Sequence, residues 1–283
     1  MRYGLHKAVS GAVAHCGIGL RLDPFNPAHF ERYFRGTGCT ACATALRRQH
    51  DSNSSHMNSR APDAEEIQVV LIGSFNPGIF HPEWFRRQEI LLPQEADEAK
   101  LTVVSPEVTE VLFLDMKLAV FPDRFIIETH DASRGEKLQD IVLNVLNRLP
   151  HTPITACGIN NLLHFELNDE AYWHKIGHTL APKELVWNDV LERPGMETLI
   201  IKGMRGGEFP GEINVTVAPS KNPKMARGLF ISANYHFVVS RNESGTPRSE
   251  CVAPYVEHEW KTALEQARRV AYRIFSQIKQ DPS

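Results

Sequence analysis

From residue 66 onward the hydrophobic pattern switches repeatedly between a period of two and a period near 3.6, and each stretch predicts an element. Residues 67 to 74 are a continuous β-branched and aliphatic run that stops at Asn76-Pro77-Gly78, which predicts a buried strand ending in a turn. His81-Pro82-Glu83-Trp84-Phe85 predicts a short helix, with Pro82 in the first turn where its missing amide is not needed. Residues 111 to 121 alternate, with Leu112, Leu114, Met116, Leu118 and Val120 on one side and Asp115 and Lys117 on the other. That pattern predicts one half-buried strand. Pro122-Asp123 then turns the chain into an antiparallel partner over 125 to 130.

Over 136 to 149 the period becomes helical: Leu138, Ile141, Val142, Val145, Leu146 and Leu149 share one face, and Pro150 ends the run. A strand over 154 to 167 follows. Asn168 is the expected N-cap of the next helix, with Asp169 and Glu170 at its positive end. Strands are expected at 198 to 205, at 211 to 218, where Ile213, Val215 and Val217 alternate, and at 229 to 240. A long helix over 255 to 279 closes the chain, with Val256, Trp260, Leu264, Ala267, Val270, Ile274 and Ile278 as its apolar stripe. Both halves therefore run from strands into an amphipathic helix. This predicts an α+β fold, with antiparallel sheet and the helices packed on one face. The missing βαβ alternation argues against a doubly wound dinucleotide fold.

Composition changes the picture mainly before residue 60. Of 283 residues, 42% are hydrophobic and 23% charged, ordinary values for a globular chain. Residues 1 to 60 show no sustained period and end in the polar run Gln49-His50-Asp51-Ser52-Asn53-Ser54-Ser55-His56. The expectation is a poorly ordered basic extension over 1 to 60, with Met57 as a candidate translation start. A single α+β domain over 61 to 283 follows, in halves of about 61 to 185 and 186 to 283. A net charge of −3 gives no overall attraction to phosphates, so no nucleic-acid partner is expected. No apolar run reaches the roughly 20 residues of a membrane helix. Cys16, Cys39, Cys42, Cys157 and Cys251 are an odd, scattered set, which suits a reducing cytoplasm better than a disulfide framework. Cys39-x-x-Cys42 has no second pair, and Cys157 lies on the apolar side of its strand.

The order of strand, Phe121-Pro122-Asp123-Arg124-Phe125, helix, Gly158-Ile159-Asn160, β-hairpins and a C-terminal helix resembles a sporadically distributed family of uncharacterised bacterial proteins. The likeness runs over roughly residues 66 to 279. The family has no settled activity, so the resemblance transfers no catalytic residue.

The densest supply of acid, base and ligand groups lies between His151 and Lys183. His174 and His178 sit four apart on a predicted helix, half of a zinc site, but Lys175 stands where a zinc protease places its glutamate, so no metal is expected. On the strand over 154 to 167, Asn160, His164 and Glu166 share the parity opposite to Cys157, Ile159, Leu163, Phe165 and Leu167. On that over 229 to 240, Ser232, Asn234 and His236 lie opposite Leu229, Ile231, Ala233, Tyr235, Phe237 and Val239. If the two strands share a sheet, the polar stripes adjoin. Gly73-Ser74-Phe75-Asn76-Pro77-Gly78 lacks the lysine and the glycine spacing of a phosphate loop, and no cofactor is expected. Two readings result. One is a non-catalytic cytoplasmic protein that contacts a protein partner or a second copy of itself. The other is an enzyme or small-ligand binder using His164, Glu166, Asn234 and His236, with Asn160 and Ser232 as binding residues and His174 and His178 as its metal candidates.

Overall fold

In the computed structural model the described residues are 60–205, 208–209, 211–239 and 248–279. The chain divides into two units, Met1–Met57 and Asn58–Ser283, and the second is described here. The expectations for residues 1 to 59 and for Cys39-x-x-Cys42 lie outside the described residues. In chain order the elements are β1 (Ala64–Gly73), α1 (Pro82–Arg87), α2 (Pro93–Asp97), β2 (Lys100–Val104), β3 (Thr109–Phe113), β4 (Met116–Phe121), β5 (Arg124–Thr129), α3 (Gly135–Arg148), β6 (Ile154–Glu166), α4 (Glu170–Leu180), β7 (Leu199–Arg205), β8 (Gly211–Pro219), β9 (Gly228–Val238) and α5 (Ala253–Gln277).

The strands pair antiparallel into one sheet, ordered β2-β3-β4-β5-β1-β6-β9-β8-β7. The structure repeats one arrangement with its division near residue 150 and not near 185, so residues 64–148 form a first half and residues 154–277 a second: each half starts with a long strand, continues as a meander that returns beside that strand, and ends in a helix. The two starting strands, β1 and β6, pair at the centre. Strand positions of one parity, among them Val69, Leu71, Phe125, Ile127, Ile159 and Phe237, are buried with Leu138, Ile141 and Val145 of α3 and Val256, Trp260 and Ala263 of α5, while Leu163 and Ile231 are buried with Ala267, Ala271 and Ile274 farther along α5. The α+β architecture with helices on one sheet face is thus the observed one. Among the described residues no helix is long and apolar enough to cross a membrane.

A buried amide interrupts the helix-covered face at its centre. Asn161 is fully buried, and its Nδ2 donates to Leu264 O at 2.9 Å and Glu65 Oε1 at 3.0 Å. Glu65 in turn accepts from Arg268 Nη2 at 2.7 Å, so β1, β6 and α5 are joined by a single polar tie.

Three local expectations are corrected. The stretch 111 to 121 is two strands, because Leu114 and Asp115 both adopt positive φ (52° and 59°) in a two-residue turn. The turn inverts the facing of everything before it: Val111 and Phe113 are buried, and Leu112 is 40% exposed. No glycine or asparagine marks this turn, so the alternation reads straight through it. The N-cap of α4 is Asp169, one residue later than expected, with Oδ1 accepting from Tyr172 N at 3.1 Å. β2 and α2 were not expected; β2 is an exposed edge strand whose register shifts between Leu101 and Val103.

The turn after β1 is held by aromatic side chains. Phe75, Phe80 and Phe125 contact one another with ring centroids 5.6–6.4 Å apart, and Trp84 packs on Phe80 at 5.5 Å. Asn76 Oδ1 accepts from Gly78 N at 3.1 Å.

Candidate functional site

The two polar stripes do adjoin. β6 pairs β9 with Asn160 opposite Asn234, Gly158 opposite His236 and Leu162 opposite Ser232. All lie on the face turned away from the helices. The same register extends sideways: Gln68 on β1 faces Asn160, Glu128 on β5 faces Gln68, and Lys117 on β4 faces Glu128. On the other side Asn214 on β8 faces Asn234 and Lys202 on β7 faces Asn214. A single polar row, Lys117-Glu128-Gln68-Asn160-Asn234-Asn214-Lys202, therefore crosses seven consecutive strands, a span of roughly 29 Å at normal strand spacing.

Hydrogen bonds run along part of this row. Gln68 Nε2 donates to Glu128 Oε2 at 2.8 Å, and Asn160 Nδ2 donates to Gln68 Oε1 at 3.0 Å. Beyond that point the pairing stops. Oδ1 of Asn160, Asn234 and Asn214 are each shielded from water and accept no hydrogen bond. Asn160 is 8% exposed although it stands on the open face. Buried acceptors without donors are rare in folded proteins, and three in adjacent strands mark this row as unfinished.

The other candidates lie away from it. His164 is two rows from Asn160, and counting along β6 it is six residues from the row of His236, roughly 20 Å. No small substrate touches both histidines. His164 Nδ1 is 2.7 Å from Ser220 Oγ, and its ring packs on Phe230 at 5.0 Å. Ser220 Oγ also accepts from Asn222 N at 3.1 Å, so this serine and histidine close the turn between β8 and β9. No carboxylate orients the imidazole among the described residues, which leaves a nucleophilic pair without its third member. Glu166 Oε1 accepts from Arg227 N at 3.1 Å and its amide donates to Asp63 Oδ2 at 2.8 Å, both contacts that anchor the end of β6.

Burial, followed by the nearby charge of His130, holds the His164 imidazole below its ordinary range. A depressed histidine contributes stability that is complete above the unfolded value near 6.5 and is lost as pH falls through the folded value. The urea midpoint should therefore drop between pH 7 and pH 5, and His164→Asn should remove part of that drop. An identical pH profile for the variant would remove His164 as a source.

His174 and His178 are held by different carboxylates on α4 and beyond it: His174 Nε2 lies 3.8 Å from Glu170 Oε1, and His178 pairs with Glu184. Among the described residues no three His, Cys, Asp or Glu side chains are placed to share an ion. Both histidines line a cavity of about 440 Å³ with Trp173, Met196, Leu229 and Lys183, and Lys183 caps α4 through Gly177 O at 2.9 Å. Cys157 is fully buried, and burial pushes its thiol far above the ordinary range, the condition of an inert core cysteine.

Glu128, Gln68 and Asn214 were not singled out in the sequence. A signal existed for two of them: Gln68 is the one polar residue within the run 67 to 72, and Asn214 stands between Ile213 and Val215. Amides in strand centres are disfavoured unless something requires them. Comparison with family models gives no match for the chain, and no curated protein matches it.

Proposed function

We propose that this chain is a non-catalytic binding protein whose open sheet face is its recognition surface, with the amide row at the centre. The observation that carries this reading is the set of three shielded, unpaired carboxamide oxygens on adjacent strands. A fold stabilised only for its own sake gains nothing from them, whereas a partner on this face can turn the carboxamides toward its own donors and complete them. The enzymatic alternative is weaker because His164 and Glu166 serve the ends of β6 and β9 while Asn234 and His236 lie elsewhere on the sheet. A protein partner also accounts for large apolar side chains in water, including Leu185 (89% exposed), Val190 (67%) and Met204 (80%). Cytoplasmic residence fits free Cys157 and Cys251.

Photo-crosslinking in cells tests this. A benzoylphenylalanine at Ser232 on the open face should give a discrete heavier adduct that Asn160→Ala abolishes, while the same group at Lys261, exposed on α5, gives none. Adducts at Lys261 alone, or adducts at Ser232 indifferent to Asn160→Ala, would overturn the assignment.

A further inference from the structure

The cavity beside α4 combines an apolar wall with basic side chains. About 440 Å³ in volume, it is framed by Trp173, Pro194, Met196, Pro219 and Leu229, and His174, Lys175, His178 and Lys183 also line it. Among the described residues no aspartate or glutamate joins this lining. The carboxylates that reach the two histidines stand outside it and are already engaged. Glu170 lies 3.8 Å from His174 but 2.8 Å from Arg227 Nη2, and Glu184 pairs with His178.

Lys183 differs from these surface pairs. The residue is only 6% exposed, and its ammonium donates to Gly177 O and Ala181 O. Among the described residues no carboxylate pairs with it. An ammonium carries three donors and two are used, so one N–H and an uncancelled positive charge remain beside the cavity. A buried charge without a counter-charge is costly, and an anion in the cavity offsets that cost.

The sequence of α4 keeps the space open. Trp173, His174, Gly177 and His178 fall on one helical face, the face that fronts the cavity. Gly177 lies inside the helix, where glycine is disfavoured because it loses the most backbone freedom on folding. Packing does not require it, since a β-carbon there meets no atom within 4 Å. A β-carbon at Gly195, also in the lining, likewise meets nothing. A dry cavity of about 150 Å³ holds one benzene ring, so the larger volume here takes an apolar body of up to roughly two fused rings or about eight chain carbons.

We propose that this cavity binds a small organic anion, with an apolar ring or chain against Trp173, Met196 and Leu229 and a carboxylate drawn toward Lys183, His174 and His178. Leu229 is buried on the helix-covered face, so the site is separate from the amide row and does not depend on it.

The test follows the Met196 methyl signal in the full chain labelled with ¹³C-methyl methionine, assigned with Met196→Leu. The probes are 2-naphthoate and octanoate, with 2-naphthamide as the neutral control and octylammonium as the cationic one. Both anions should shift the signal saturably at submillimolar concentration. 2-Naphthamide should bind at least tenfold more weakly than 2-naphthoate, and octylammonium should have no effect. Lys183→Met removes the charge while keeping an unbranched side chain, and should weaken both anions at least tenfold without changing 2-naphthamide. Should that variant lose the end of α4, the comparison of 2-naphthoate with 2-naphthamide in the unaltered chain decides the charge requirement by itself. Gly177→Leu fills the space and should abolish binding of every probe. Its melting temperature should not fall, because leucine favours the helix, and this separates blocked binding from lost folding. A Met196 signal unmoved by millimolar anion, equal affinities for 2-naphthoate and 2-naphthamide, or full binding by Gly177→Leu would each overturn the site. Tenfold tighter binding of acetyl-Ala-Ala-Phe with a free terminal carboxylate would overturn the small-molecule assignment in favour of a polypeptide end.

Discussion

Phe125→Ala should lower the free energy of unfolding by about 3–5 kcal/mol, the usual cost of truncating a fully buried aromatic ring. Phe125 is 0% exposed on the helix-covered face of β5. Its ring meets Phe75 and Phe80, and Phe80 meets both Trp84 and Phe85, with centroids 5.0 to 6.4 Å apart throughout the group. The residue therefore joins the sheet to the turn and helix that follow β1, and its loss leaves a space that the four remaining rings, on a short, constrained segment, refill poorly. Urea unfolding should show a lower midpoint with an unchanged slope. A loss below about 1 kcal/mol would mean that the aromatic group repacks around the gap.

A loss of similar size, about 3–5 kcal/mol, is expected for Arg205→Ala, from a different cause. The Arg205 side chain is 5% exposed at the end of β7, with its guanidinium 4.2 Å from the Tyr235 ring centre and 5.0 Å from that of Tyr255. Nη1 lies 3.5 Å from Glu259, yet none of its nitrogens has a hydrogen-bond acceptor. The cation is held by charge and by two ring faces. Removing it leaves Glu259 facing Tyr235 without its counter-charge and opens a void between the tyrosines. Arg205→Met combined with Glu259→Gln removes both charges while filling the space, and should recover most of the lost stability. If the double variant is no more stable than Arg205→Ala, the charge argument fails and packing alone is responsible.

The period of the hydrophobic pattern was sufficient to place eight of the strands' sequences, the two long helices and the side of β6 and β9 that faces the helices. Strand parity is a local property, and it survives folding wherever no turn intervenes. At Leu114-Asp115 a turn made of ordinary residues intervened, and the facing of β3 was misread as a result. Parity also separated Asn160 and Asn234 from the core without reference to any partner strand. What it did not supply was register. Whether Asn160 stands beside Asn234 or beside Ser232 depends on how strands far apart in the chain align, and a shift of two residues would have preserved every parity while dismantling the row. For the same reason His164 and His236 looked like partners, although the alignment places them at different ends of the shared surface.

The central pairing also has a consequence for the order of assembly. Gln68 and Asn160 touch across β1 and β6 but are separated by 92 residues of chain, whereas β3, β4 and β5 are joined by the shortest of turns. Contacts that close long loops form late, after local hairpins have reduced the entropy still to be lost. Each meander is therefore expected to form within its own half before the halves join edge to edge. The amide row belongs to neither half alone: Glu128 and Gln68 come from the first, Asn160, Asn234 and Asn214 from the second. A nascent chain with only one half folded presents no complete row, so the row arises only with the final long-range closure.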